Sequence, residues 1–208
     1  MPMAGRTFRS SATASRLATP RAASIASLTC RAASTGAERD AHFMIRRQVF
    51  VLEQGLFDGP GDDRDGHDDD PATIHVVGLA DGVICGTVRL YPAGQGGRWK
   101  GDRLAVLASH RHLGLGAPLV RFAVSSAARL GGREMEAFIQ PANVAFFRWL
   151  GWRPAGGLVD YAGIPHQRMR IDLIDRIDVN DQNGTLTACA RMAVISVRAV
   201  AVSGRCRA

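Results

Sequence analysis

The chain has 208 residues and 46% hydrophobic content, enough for one ordinary domain with extensions and a real core. Its formal charge of +7 comes from the ends, because the segment 38–176 carries 17 basic and 17 acidic residues. A near-neutral central segment gives no basic face for nucleic acid, and no apolar run approaches the ~20 residues that span a bilayer.

Residues 1–24 are rich in Ser, Ala, Arg and Thr and contain no acid. Such a composition buries too little surface to fold, so disorder is expected there. It suits an organellar transit peptide, or a start codon assigned too far upstream in a GC-rich bacterial gene. Lys100 is the only lysine, as expected where arginine codons dominate, and this favours the second reading. The four cysteines, Cys30, Cys85, Cys189 and Cys206, form no C-x-x-C pair and no metal spacing. They suit a reducing, cytoplasmic compartment, with Cys85 as a small buried hydrophobe.

In chain order, Ile25–Ala33 reads as a first strand. Thr35-Gly36-Ala37-Glu38 is a capping box that opens a helix through Phe50. In that helix Phe43, Val49 and Phe50 face the core, while Arg46 and Arg47 lie to the side. The segment 59–71 is dense in aspartate, but calcium-loop spacing fails: with Gly66 sixth, Gly61 stands first and Ala72 last. It reads as a solvated acidic loop, with attraction of a cationic amine as a second role. Ile74–Ala80 and Val83–Tyr91 flank Asp81-Gly82, a strong hairpin signal. Gly94–Gly97 is a link into the strand Leu104–Ala108. Leu119, Phe122, Ala123, Ala127 and Leu130 then recur at helical spacing, and Gly131-Gly132 stops the helix. Met135–Ile139 is a strand, and Leu158–Tyr161 with His166–Leu173 reads as a closing antiparallel pair. Residues 175–208 form a tail of unknown role in which only Met192–Val202 is apolar. The order β-α-β-β-β-α-β-α-β-β defines a mixed α/β single domain over 25–174.

The most informative stretch is Arg111-His112-Leu113-Gly114-Leu115-Gly116, a glycine turn between a buried strand and an amphipathic helix. Unpaired backbone N–H groups at a positive dipole end form a natural seat for phosphate or pyrophosphate. Gly114 and Gly116 lack Cβ atoms, so oxygens can approach the main chain closely. One helix and one strand later comes Gln140-Pro141-Ala142-Asn143-Val144-Ala145-Phe146-Phe147-Arg148-Trp149-Leu150-Gly151-Trp152.

These two motifs, in this order, resemble the GNAT superfamily of acyl-CoA-dependent N-acyltransferases. Its signature is a strand, an R/Q-x-x-G-x-G/A loop, a helix, a strand, and a helix ending in aromatic-x-x-x-Gly-aromatic. Arg46–Gln54 and Gly163–Met169 look like the ElaA-like branch and the GNATs of bacterial nitrilase gene clusters. The resemblance covers roughly residues 25–174. It implies a mixed, mostly antiparallel sheet with a splayed central strand pair flanked by helices. It also implies acetyl-CoA as acyl-donor substrate, an amine acceptor, no metal, and leaves a homodimer open.

Carried over residue by residue, the resemblance places Leu104, Ala105 and Val106 against pantetheine. Arg111, His112, Leu113, Gly114, Leu115 and Gly116 lie at the phosphates, with Ala117 opening the helix and Asn143 and Phe147 beside the cofactor. A backbone N–H near Val106 polarises the thioester carbonyl. Arg111 and His112 either add charge there or stay solvated. The family's usual thiolate donor is a tyrosine four residues before the glycine of the second motif, and here that position is Phe147. Tyr161, near the site end of the last hairpin, is the other hydroxyl in reach. His166 is the leading base, because an imidazole with an ordinary pKa near 6.5 is substantially neutral at physiological pH. A structural histidine bonded across the hairpin is the competing role. Glu136 and Glu53 follow as bases, although Glu53 is expected to pair with Arg46 or Arg47. The reading is therefore an N-acetyltransferase acting on a primary amine of a small molecule or peptide. A non-catalytic acyl-CoA-binding module and an acyltransferase with a longer acyl donor stand as alternatives.

Overall fold

The computed structural model describes residues 26–59, 61–161 and 163–174. The extension over 1–24, the tail over 175–208 and the expected strand residue Ile25 lie outside the described residues.

Thr35 caps α1 (Gly36–Arg46): its Oγ1 accepts from the Glu38 N–H at 3.2 Å, and the Glu38 carboxylate accepts from Ser34 N–H at 2.7 Å and Thr35 N–H at 3.2 Å. The Ser34 backbone bond, reinforced by the Arg31 guanidinium, holds the Glu38 carboxyl down to about 2. The expected helix to Phe50 changes character at Arg47. Residues Arg47–Glu53 are wound as a π-helix, with Gln54 N–H bonded to Val49 O at 3.0 Å, so the turn widens beside the site. Arg46 is fully buried rather than lying to the side.

One seven-stranded sheet carries the fold, in the order β1-β2-β3-β4-β5-β7-β6. Its strands are β1 (Leu28–Ala32), β2 (Ile74–Ala80), β3 (Val83–Pro92), β4 (Arg98–Val106), β5 (Glu134–Ile139), β6 (Arg153–Tyr161) and β7 (Ile164–Asp172). All neighbours are antiparallel except β4 and β5. Asp81 (φ 48°) and Gly82 (φ 83°) make the left-handed two-residue turn that the twist of the β2–β3 hairpin favours. β4 begins six residues earlier than the apolar run indicates, because Arg98, Lys100 and Asp102 alternate with Trp99 and Gly101.

Helix α2 (Gly116–Arg129) crosses one face, and α1 covers the other. Leu115 and Leu119 sit in the space left by Gly78 and Gly86, where an added Cβ would lie 2.8–3.1 Å from their methyl carbons. That packing fixes the start of α2 against β2 and β3. The short α3 (Val144–Trp149) stacks Phe146 and Phe147 into the same core.

Two irregularities in β4 prepare the site. Its parallel pairing with β5 runs only from Arg98↔Glu134 to Lys100↔Glu136. Beyond Lys100, β4 stays with β3 as far as Val106↔Gly86, while β5 stays with β7 as far as Ile139↔Gln167. The two strands therefore part, and the main-chain groups of β4 that face the gap have no strand partner. The second irregularity is a bulge. Asp102 pairs with Arg89 and Ala105 with Thr87, so Arg103 and Leu104 together oppose Val88. Arg103 takes φ 54°, a left-handed conformation uncommon for a long side chain.

Candidate active site

The parted strands enclose a cavity of about 720 Å³. It spans both faces of the sheet. On the α1 side it is bounded by Phe50, Gln54, Lys100, Phe138, Tyr161 and His166. On the α2 side it reaches Val88, Val120, Ala123, Met135, Ala137 and Trp152.

An ionic cluster holds its rim. Arg46 donates to Asp63 through Nε at 2.7 Å and to Asp68 at 2.5 and 3.0 Å. Arg89 makes paired bonds to Asp65 (2.7 and 2.8 Å) and to Asp102 (2.8 and 2.7 Å). Arg103 donates to Asp63 O at 3.0 Å, Asp65 at 3.2 Å and the Tyr161 hydroxyl at 2.7 Å. The expected solvated acidic loop is thus corrected: Asp63 and Asp68 are buried, and Asp65 reaches inward. Burial alone would raise the Asp68 carboxyl, but the hydrogen bonds and charge of Arg46, then the charge of Arg89, hold it well below the usual carboxylate range. Burial opposes the Arg89 charge, and Asp102 and Asp65 more than reverse that. Buried charges need such full pairing. The bulge in β4 is therefore held by side chains from three segments of the chain.

The sequence-expected residues fall into two groups. Leu104, Ala105, Val106, Arg111, Asn143, Phe147, Tyr161 and His166 line the cavity. His112, Leu113, Gly114, Leu115, Gly116, Ala117 and Glu136 are not in its wall. The glycine loop lies past the C-terminal end of β4, where the 3₁₀ turn Ala108–Leu113 is closed by Gly114 at φ 77°. The Leu115 side chain is fully buried, so only its main chain is available to a ligand. His112 is exposed.

Three side-chain expectations are corrected. Arg111 is committed to a bidentate pair with Glu53 (2.5 and 2.7 Å) and donates through Nε to Val106 O at 3.0 Å. Glu53 consequently pairs with neither Arg46 nor Arg47. Glu136 pairs with Arg168, Nε to Oε2 at 2.6 Å, outside the cavity wall.

His166 is 5% exposed, and its Nδ1 lies 2.8 Å from Ile164 O. A carbonyl only accepts, so Nδ1 carries a proton, and in the neutral ring the lone pair is on Nε2. Its ring stands edge-on to Tyr161, with centroids 5.5 Å apart. Tyr161 accepts from Arg103, which leaves its own proton free to be donated. Arg103, Gln54, Gln140 and Trp152 are site residues that sequence reasoning missed, although all but Arg103 stand inside or next to motifs it quoted. Gln140 donates to Gln54 at 3.2 Å across the cavity's edge.

Two buried polar atoms of the wall have no hydrogen-bond partner in the structure: Asn143 Oδ1 and Trp152 Nε1. One accepts and one donates, the complement that an amide-bearing chain such as pantetheine offers. Together with the unpaired edge of β4, they fit an acyl-CoA.

A parted β4–β5 pair, a glycine turn into a helix and a cavity crossing the sheet define the fold of an acyl-CoA-dependent acyltransferase. The model of the acetyltransferase (GNAT) family matches residues 44–152, and the chain belongs to that family. It is 32% identical over 135 residues to a Bacillus subtilis (strain 168) protein named "putative acetyltransferase", a match covering 64% of this chain and 89% of that protein. Among solved structures, it is similar to an acyl-CoA N-acyltransferase from Pseudomonas aeruginosa (28% identity, TM-score 0.60, 70% of this chain and 98% of that one). Escherichia coli ElaA shares the fold at 19% identity (TM-score 0.59, 70% of this chain and 98% of that one). The protein is an acyltransferase. No helix among the described residues is long and apolar enough to cross a membrane, and no group of metal-ligating side chains occurs among them.

Proposed function

We propose that the protein transfers an acyl group, acetyl being the simplest, from acyl-CoA to the primary amine of a small molecule or peptide. The observation that carries this reading is His166: a buried imidazole in the cavity wall whose Nδ1 is tied to Ile164 O, leaving the Nε2 lone pair for the acceptor. His166, directly or through a water, removes a proton from the acceptor ammonium. The amine nitrogen then attacks the thioester carbonyl carbon, a C–N bond forms, and the C–S bond breaks. The departing thiolate takes the proton of the Tyr161 hydroxyl, the donor proposed here, and the nitrogen's second proton returns to that oxygen, whose transient charge Arg103 offsets. The main chain of Leu104, Ala105 and Val106 holds pantetheine, and the free amides of Leu115 and Gly116 at the start of α2 hold the pyrophosphate.

Thiol release from acetyl-CoA over a panel of primary amines, with and without protein, tests the reading. Turnover on at least one amine supports it. Tight acetyl-CoA binding with no thiol release on any amine would contradict it.

A further inference from the structure

Resting on the reading of the cavity as an acyl-CoA site, we infer that it is built for an acyl group longer than acetyl. The cavity does not end at the sheet. Between β4 and β5 it passes to the α2 face, where Val88, Val120, Ala123, Met135 and Ala137 form its wall. All five belong to the hydrophobic core and are at most 5% exposed, so this lobe lies inside the protein and not on its surface.

The passage is kept open by residue size. Gly101 stands just beyond the last β4–β5 pair, and an added Cβ there would lie 3.3 Å from Met135 Sδ. Small residues, Ala123 and Ala137, occupy the wall where larger ones would close it. In the family's usual tyrosine position, Phe147 adds an apolar ring to the same wall. Interiors pack densely, and an internal apolar void costs stability unless a ligand fills it. An acetyl methyl cannot fill a lobe with this wall. A straight alkyl chain continuing from the thioester through the gap can, and it introduces no polar atom.

Each methylene that enters the lobe should tighten binding by up to about fourfold, ~0.8 kcal/mol, until the lobe is full. The experiment is calorimetric titration of the full chain with free CoA and with acetyl-, butyryl-, hexanoyl- and octanoyl-CoA, which requires no acceptor. Hexanoyl-CoA should bind at least tenfold more tightly than acetyl-CoA. Ala123→Leu narrows the lobe and should reduce the hexanoyl-to-acetyl affinity ratio at least fivefold, while Met135→Ala should move the optimum to a longer chain. If free CoA and acetyl-CoA bind but affinity is flat or falls with chain length, the inference is overturned while the acyl-CoA reading stands. A rise with length that neither variant alters overturns it too, because the chain would then lie elsewhere. If neither CoA nor any thioester binds a folded protein, it is the acyl-CoA reading that fails.

Discussion

Glu53 and Arg111 form a bidentate ion pair, 2.5 and 2.7 Å, that ties the end of the π-helical segment to the turn after β4. The same guanidinium bonds Val106 O, so it braces the mouth of the strand gap and does not reach freely for phosphate. Both side chains are largely buried, Arg111 at 15% and Glu53 at 25% exposure. Glu53→Gln and Arg111→Gln should each lower stability by about 1–2 kcal/mol, and the double variant little more. Both should weaken CoA binding. If Glu53→Gln tightened CoA binding instead, Arg111 would be a phosphate ligand held in check.

Gly116 sits buried at the first position of α2, behind the loop amides proposed to hold the pyrophosphate. Gly116→Val should reduce CoA affinity at least about tenfold, roughly 1.4 kcal/mol, by crowding the turn that presents those amides. Calorimetry on the folded variant decides this, and unchanged affinity would remove the loop from the site.

Tyr161 receives a hydrogen bond from Arg103, and Phe147 stands where the family usually has its hydroxyl. Tyr161→Phe should lower turnover by roughly tenfold. Phe147→Tyr in that background should recover part of the loss, because it returns a donor to the cavity wall. An unaffected Tyr161→Phe enzyme would leave thiolate protonation to solvent.

Where α1 packs on β2, His42 and His75 are buried within hydrogen-bond distance, His75 Nδ1 to His42 Nε2 at 3.3 Å. Burial, then the charges of His75 and Arg46, lowers the His42 pKa to about 3. The fold keeps this ring neutral, while in the unfolded chain it gains a proton near pH 6.5. Stability should therefore be flat above about pH 7 and fall as pH drops from 6.5 towards 3. Asp65 and Asp68, lowered despite burial by Arg89 and Arg46 respectively, extend the loss below about pH 4. Denaturant unfolding at pH 7, 5.5 and 4.5 checks the sign: stability unchanged or rising over that interval would be the contrary result. His42→Gln should flatten the slope between pH 7 and 5.

Much of the scaffold was legible because its signals are local. Thr35 with Glu38 makes the capping box, Asp81-Gly82 makes the hairpin turn, and Gly114 ends the turn before α2. The first half of β4 was missed because it alternates charged with aromatic and glycine residues and shows no apolar run. Arg46 looked like a surface arginine, since nothing local reveals that Asp63 and Asp68 fold back onto it. Arg103 was invisible for the same reason: its role follows from a bulge and from Tyr161, 58 positions away in the chain. His166 and Tyr161 were legible as neighbours across a hairpin. Glu136 was not excluded because its strand left its facing open, and the structure gives it to Arg168.

The central claim is that His166 takes the acceptor's proton, and His166→Gln measures it most directly. At saturating acetyl-CoA and a fixed amine, the variant should lose roughly 10²-fold or more in kcat. Its CoA affinity should stay within about twofold, because the ring is proposed to face the acceptor and is no part of the glycine loop proposed as the pyrophosphate seat. The parent's rate should rise with pH through an apparent pKa absent from the variant. A variant with full turnover and the parent's pH profile would contradict the account.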